Sequence, residues 1–467
     1  MVVGSALHRA FAIWFRDLTR WNPGSFRQSV WHWPIECIKP LSTALVPKHR
    51  VADKGHSDFS KLPMLTLGFD GEISLRGGKK IIVIKGNLFI ANAGDVVFSK
   101  IDVRNGAIGI VPESMPSVAV TSEFPVYGVR KNIALPSYIR LLFRTEFFRK
   151  TINSMISGAS GRKRVQPSQL MSAEVPLPPL PVQQAIVDRW EQAQKEIAAG
   201  QERILCKERE TAARFIRELG LTPPKPASGE KGFAVQWKDF ARWSVSYNHT
   251  ASSLPDFTKG KYPVVSLGAI LEMVQYGTSV KANTMDEGTP VIRMNNILDG
   301  ILDFSDLKHV SLPEKVRKGL SLRKGDILIN RTNSKELVGK CGVFDVEGEY
   351  VFASYLIRLR ADLRRVLPEY LASVINSPIG RQQIDSLSRQ IIGQANINSK
   401  ELRSLQIPLP PLPVQQEFLR QIVDGRAEVS KIRGAVREIA SDAKREIEAL
   451  ILGTKKVDCR EPTRLTS

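Results

Sequence analysis

Apolar and polar positions follow two rhythms along this chain, and each rhythm is used twice. Short apolar runs between glycines and charged turns predict β-strands at 80–84, 94–99 and 107–111, and again at 262–267, 290–294, 325–330 and 341–346. A helix is expected near 136–155 and another near 368–388, each ending in a glycine-containing loop, 157–167 and 393–399. A 3–4 alternation then takes over. From about Val414 to Leu452, the positions Phe418, Ile422, Gly425, Val429, Ile432, Val436, Ile439, Ala443, Glu446 and Leu450 form a stripe that predicts a coiled-coil contact. From about Val182 to Leu219 the stripe is Ile186, Trp190, Ala193 and Ile197. It lapses near Gly200 and resumes at Leu205, Ala212, Phe215 and Leu219. The expected partner of each helix is the other one. The alternative is a helix packed on its own globule.

The repetition extends to the letter. PLPPLPVQQ stands at 176–184 and, unchanged, at 408–416, an offset of 232. Outward from it, Leu135-Pro136 with Tyr138 answers Leu367-Pro368 with Tyr370, and Gly94-Asp95 answers Gly325-Asp326. Asp70-Gly71 answers Asp299-Gly300, and Asp17 to Trp21 answers Asp239 to Trp243. The reading is a duplicated chain: a globule at 1–174, a Pro-rich lead-in and long helix at 175–220, and a linker at 221–234. A second globule follows at 235–406, a second lead-in and helix at 407–455, and a tail at 456–467. The fold class is α+β: two mixed α/β globules separated by two long antiparallel helices, with an internal pseudo-two-fold duplication. Helices of this length make a rod of about 57 Å at about 1.5 Å per residue. That lies between one and two DNA turns of about 34–36 Å.

Composition narrows the classes. The 42% hydrophobic and 24% charged content is that of a globular protein. Cys37, Cys206, Cys341 and Cys459 stand singly, which argues against a disulfide framework or a structural zinc and suits a reducing cytoplasm. No apolar run is long enough to span a membrane. The first 21 residues read as an amphipathic helix and not as a signal peptide. The net charge of +20 is unevenly placed: residues 1–173 carry 24 Lys/Arg against 11 Asp/Glu, residues 235–405 carry 23 against 18, and 174–234 balance at nine each. A positive field on the globules and not on their connection is expected where two globules meet a polyanion. Catalytic patterns are missing. Gly77-Gly78-Lys79-Lys80 lacks the spacing of a phosphate-binding loop, and Asn22-Pro23-Gly24-Ser25 lacks the aromatic with which adenine methyltransferases stack a flipped base. His8, His32, His49, His56, His249 and His309 show no metal-ligand spacing. No cofactor, metal or catalytic residue is expected in this chain.

The repeated Pro-rich lead-in with its Val-Gln-Gln and long helix, the run Gly325-Asp326-Ile-Leu-Ile-Asn330-Arg331, Tyr276-Gly277-Thr278-Ser279 with Lys281, and Pro290 to Ile297 together resemble the specificity subunits of type I restriction-modification systems. The resemblance spans nearly the whole chain and is weaker before about residue 90, where Tyr-Gly-Thr-Ser has no visible counterpart. It implies that the globules are target recognition domains, each reading one half of an interrupted site on double-stranded DNA. It implies also that the helices set the spacing and dock two methyltransferase subunits. S-adenosylmethionine would then be bound by those partners, and ATP with Mg by motor and nuclease subunits where present. The alternatives are a specificity subunit of another multi-subunit restriction system, a lone DNA-modifying enzyme, or a helical protein-binding scaffold. Candidate DNA contacts are Lys100, Arg104 and Asn105 after the first Gly-Asp strand, and Arg331, Asn333, Lys335 and Lys340 after the second. The later loops add Arg162, Lys163, Arg164, Gln394 and Asn396, and the family motifs add Tyr276, Thr278, Lys281, Arg293 and Asn295. Arg and Asn pair bidentately with guanine and adenine, whereas Lys more often holds phosphate. The helix lead-ins, Pro176, Pro178, Pro179, Gln183 and Gln184 with Pro408, Pro410, Pro411, Gln415 and Gln416, are the candidate partner-docking residues.

Overall fold

The computed structural model describes residues 31–52, 63–76, 87–115, 117–154, 164–222, 248, 256–283, 287–298, 300–391 and 394–457. The expected N-terminal helix, the Asp-to-Trp repeat, the strand at 80–84, the turn at 77–80, most of the linker and the end of the tail lie outside them, as do Arg162 and Lys163. The chain divides into two units, Met1–Gly200 with Ala435–Ser467, and Gln201–Gly434. Each therefore holds one globule and parts of both long helices, which run Leu180–Glu218 and Leu412–Leu452.

In the first unit, the sheet is antiparallel, ordered Leu45–Pro47, Val126–Val129, Val96–Phe98, Ile108–Ile110. Val96, Val97 and Phe98 are all fully buried, so this central strand is covered on both faces, as its unbroken apolar run requires. Strand Ile38–Pro40 pairs with Glu174–Pro176, which leads directly into the first long helix. The core gathers Phe98, Tyr138, Phe143 and Phe148 from the globule, Ile186 from the first long helix, and Ile447, Leu450 and Ile451 from the end of the second. The two helices run antiparallel here: Arg189 meets Glu446 at 2.9 Å, and Gly200 faces Val436.

The second unit repeats the plan. Its sheet is ordered Leu271–Tyr276, Leu356–Ala361, Ile327–Asn330, Cys341–Val343, again antiparallel, and Val264–Ser266 pairs with Gln406–Pro408 before the second long helix. A further three-stranded sheet and the hairpin Ile297–Leu298/Ile301–Leu302 are added to it. Phe215, Ile216 and Leu219 from the end of the first long helix enter the core beside Tyr370 and Phe418. Phe215 and Phe418 meet edge to face at 5.7 Å. Antiparallel pairing recurs in Lys207–Glu428 at 3.0 Å and Arg433–Glu208 at 2.6 Å.

Three expectations need correcting. The first helix does not lose its stripe near Gly200: that glycine is buried, Ile204 and Thr211 carry the stripe on, and Leu205 is 46% exposed. A glycine served as a gap in the apolar pattern, yet it marks where Val436 of the other helix packs against the bare backbone. The helices expected at 136–155 and 368–388 are each two, Pro136–Arg144 with Glu146–Ser154, and Pro368–Asn376 with Pro378–Leu387. Thr145 and Ser377 break them in extended conformation and cap the next helix by accepting from Phe148 N and Gly380 N. Pro378 disfavours a helical conformation for Ser377. The loop expected at 393–399 contains a strand, Gln394–Asn396, paired with Thr332–Asn333 and Arg389–Ile391.

Candidate nucleic-acid interface

The Gly-Asp turns set the geometry. Gly94 and Gly325 take φ of 80° and 86°, a conformation that glycine reaches without strain, and deliver a buried aspartate to the head of each central strand. Asp95 accepts from Asn92 N at 2.8 Å and pairs with Arg50. Asp326 accepts from Arg323 N at 2.9 Å and from both Arg360 Nε and Nη2 at 2.7 and 2.8 Å, with Arg358 also against it. The hydrogen bond from Arg360 to Asp326 holds that guanidinium's pKa above its ordinary value, while burial lowers that of Arg358 against the attraction of the same carboxylate. These aspartates are internal anchors.

What they anchor is the residue at the far end of the strand. Lys100 N donates to Glu123 O at 3.1 Å and Lys100 O accepts from Val165 N at 2.8 Å. Arg331 N donates to Tyr355 O at 3.0 Å and Arg331 O accepts from Ile397 N at 3.0 Å. The two residues occupy the same place in the two globules, and the same register sets Arg164 against Asn396 and Glu123 against Tyr355. Candidates chosen from two separate loops thus meet at one point in each unit.

In the second unit, Arg331 lies over the ring of Tyr276, 4.8 Å from its centroid, and Tyr276 Oη accepts from Ser399 N at 3.0 Å. Asn333 is half-buried, with Nδ2 3.5 Å from Met294 Sδ, next to exposed Asn295. Asn396 pairs with Thr332 across the small sheet, in which Gln394 also lies. Lys335 is exposed and Lys340 half-buried at the two ends of the following turn. Thr278 is half-buried, its Oγ1 accepting from Val280 N at 3.2 Å, and Lys281 beyond it is exposed. Arg293 is an anchor of the interior edge: its Nη2 donates to the backbone and the carboxylate of Asp306, both at 3.1 Å.

In the first unit, Lys100 and Arg104 are half-buried and Asn105 is exposed. Arg164 is ion-paired with Glu123 at 3.4 Å. Tyr276 does have a positional counterpart. Pro47 pairs with Tyr127 as Val274 pairs with Leu359, and two residues further along these stand His49 and Tyr276. His49, Glu123 and Tyr355 were missed because only sheet register, and no shared letter, connects them to the motif.

The helix lead-ins are built alike. Gln183 Oε1 accepts from Leu135 N at 2.9 Å while Nε2 donates to Ile133 O and Pro178 O at 2.9 and 2.7 Å. Gln415 does the same with Leu367 N, Arg365 O and Pro410 O, at 2.9, 3.0 and 2.8 Å. Both glutamines are 0% exposed, so they fix the helix start and are closed to a partner. Tyr138 and Tyr370 donate to Pro176 O and Pro408 O, and burial raises both phenols far above their ordinary pKa, keeping them donors. Pro176, Pro178, Pro408 and Pro410 are buried too, which leaves Pro179, Gln184, Pro411 and Gln416 on the surface. Among the described residues no cluster of His, Cys, Asp and Glu is placed to hold a metal, and no helix is long and apolar enough to cross a membrane.

Two globules on one plan, each presenting the same strand end with different side chains and each packed on parts of both long helices, define a duplicated architecture. The chain belongs to the family described as the type I restriction modification DNA specificity domain, whose model matches residues 55–205 and 259–424. The type I restriction enzyme EcoKI specificity subunit of Escherichia coli (strain K12) is 24% identical over 296 residues, 62% of this chain and 59% of that one. A putative type I restriction enzyme MjaX specificity subunit of Methanocaldococcus jannaschii is 29% identical over 166 residues, 35% of this chain and 39% of that one. The chain thus spans 59% or less of the length of these two curated relatives. The fold is shared with a solved chain described under complex assembly and conformational transition of the type I R-M system, with a TM-score of 0.52 at 16% identity, covering 89% of this chain and 96% of that one.

Proposed function

We propose that this chain is the sequence-reading subunit of a type I restriction-modification complex, working in the cytoplasm on double-stranded DNA. Each globule reads one half of an interrupted site. Two methyltransferase subunits dock on the helical parts, with the exposed Gln184 and Gln416 at the lead-ins as first candidates, and restriction subunits join where present. The chain itself is non-catalytic: S-adenosylmethionine belongs to the methyltransferase, and ATP with Mg to the motor and nuclease partner. The helices, at 39 and 41 residues, are each about 60 Å long at about 1.5 Å per residue and set the interval between half-sites.

One observation carries this reading: the same backbone frame, bond for bond, holds Lys100 with Arg164 in one globule and Arg331 with Asn396 in the other. A shared frame with different polar groups at the same point suits two readers of unlike sequences, so the site is asymmetric. Affinity for duplex DNA, measured on the chain assembled with its methyltransferase, should fall roughly a thousandfold between 50 and 200 mM salt if about six phosphates are neutralised. A flat salt response would contradict DNA reading and favour a protein-binding scaffold.

A further inference from the structure

The two equivalent strand ends differ in how their cation is held. Arg331 is half-exposed with its guanidinium carbon over Tyr276, 4.8 Å from the ring centroid, and the Tyr276 hydroxyl accepts from Ser399 N of the far loop. Its side chain makes no hydrogen bond or ion pair among the described residues, and its Nε is enclosed without an acceptor. The neighbouring arginines of the same unit are spent otherwise: Arg293 on Asp306, Arg317 on Glu349, and Arg358 and Arg360 on Asp326. A guanidinium that is oriented by stacking yet left without an anion is a preformed donor fork awaiting an acceptor. Two amides stand beside it, Asn333 two residues along the strand and Asn396 opposite Thr332.

Lys100 has the same backbone place and none of this support. Pro47 matches Val274 in register, and the residue two positions further on is His49 and not a tyrosine. Glu123 replaces Tyr355, and its charge neutralises Arg164. An ammonium can also reach guanine O6 and N7, but as a flexible point charge with no ring to orient it, whereas the guanidinium is a planar fork.

We propose that Arg331 is the guanine-reading group of the second globule, that Tyr276 is its positioning residue, and that Lys100 supplies no equivalent base contact in the first. This rests on the sequence-reading function proposed above. The terminal guanidinium nitrogens donate to one guanine, while the stacked ring keeps the fork from swinging towards phosphate.

The test uses the full chain assembled with its methyltransferase, and the duplex motif defined by methylation mapping. Each guanine of the motif is replaced in turn by 7-deazaguanine, which removes only the N7 acceptor, and binding is compared with the unmodified duplex. The wild-type complex should lose roughly ten- to a hundredfold at one guanine. Arg331→Ala should abolish that single sensitivity and keep all others, weakening unrelated DNA far less than the motif. Tyr276→Leu should weaken the same sensitivity, and Tyr276→Phe, which keeps the ring, should retain it. Lys100→Ala should leave every deazaguanine sensitivity in place. The proposal is overturned if Arg331→Ala retains every wild-type sensitivity, if it weakens all duplexes equally as a phosphate contact would, or if the motif holds no sensitive guanine. A wild-type complex that does not prefer its motif over a scrambled duplex defeats the sequence-reading function instead.

Discussion

Gln183 and Gln415 match in their surroundings as well as in their letters. Each amide closes a turn of proline-rich backbone that has no regular structure to satisfy it, using one acceptor and two donor bonds while fully buried. Prolines supply no N–H, so the backbone of PLPPLP leaves carbonyls that a side chain must meet. The identity of the nonamer between copies therefore follows from internal chemistry at these positions. Gln415→Ala would strand a backbone N–H and two carbonyls, and should lower the stability of the full chain by about 3 kcal/mol or more, since each stranded buried group costs about 1–3 kcal/mol. Gln416→Ala, at an exposed position, should change it by less than about 0.5 kcal/mol. Denaturant midpoints of the two variants decide between this account and one in which both glutamines serve a partner. Arg331 is the contrasting residue: it spends its side chain on a ring and keeps its hydrogen-bonding capacity open.

The long helices are set by what they exclude. A Cβ on Gly200 would stand 2.3 Å from Val436 Cγ2, and one on Gly425 would stand 2.8 Å from Thr211 Oγ1, so each glycine lets the antiparallel partner approach. Val436 and Thr211 are β-branched and have little rotamer freedom to move aside. Gly425→Leu should cost about 1–3 kcal/mol through overpacking. Gly434→Ala, with nothing within 4 Å of the added carbon, should stabilise by about 0.5–1 kcal/mol because helical glycine costs backbone entropy. Thermal unfolding of both variants tests this, and equal effects would contradict a close approach at Gly425. Both helices also stop as their sequences demand, at Gly220 and Gly453 with positive φ, where Leu221 N returns to Ile216 O and Thr454 N to Ala449 O. The second stripe was legible residue by residue because every position in it is apolar or small apart from Glu446, which pairs with Arg189. The first stripe was misread at Gly200 and Leu205, while Phe215 and Leu219 are buried as expected, because hydrophobicity does not report that a small residue can be a contact. The breaks at Thr145 and Ser377 are marked by a capping hydroxyl in each, joined at Ser377 by the proline that follows, and apolar periodicity reports neither signal.

At the scale of the molecule, duplication was legible because nine letters survived unchanged and because Asp95 and Asp326, as buried anchors, cannot drift. The candidate interface was legible only in part. Lys100 and Arg331 follow from counting along the Gly-Asp strand, but no shared letter ties the strand of Tyr276 to Leu45–Pro47, which match only through sheet register. Arg293 looked like a contact by its motif and is engaged with Asp306. The central claim is that two globules on one frame, with different side chains at its equivalent points, read two unlike half-sites for a partner methyltransferase. Its most direct measurement is a genome-wide map of modified adenines in the source cell with this gene intact and deleted. The account predicts that deletion removes one interrupted, asymmetric motif and leaves all others in place. An unchanged map, with the partner methyltransferase present, would contradict it.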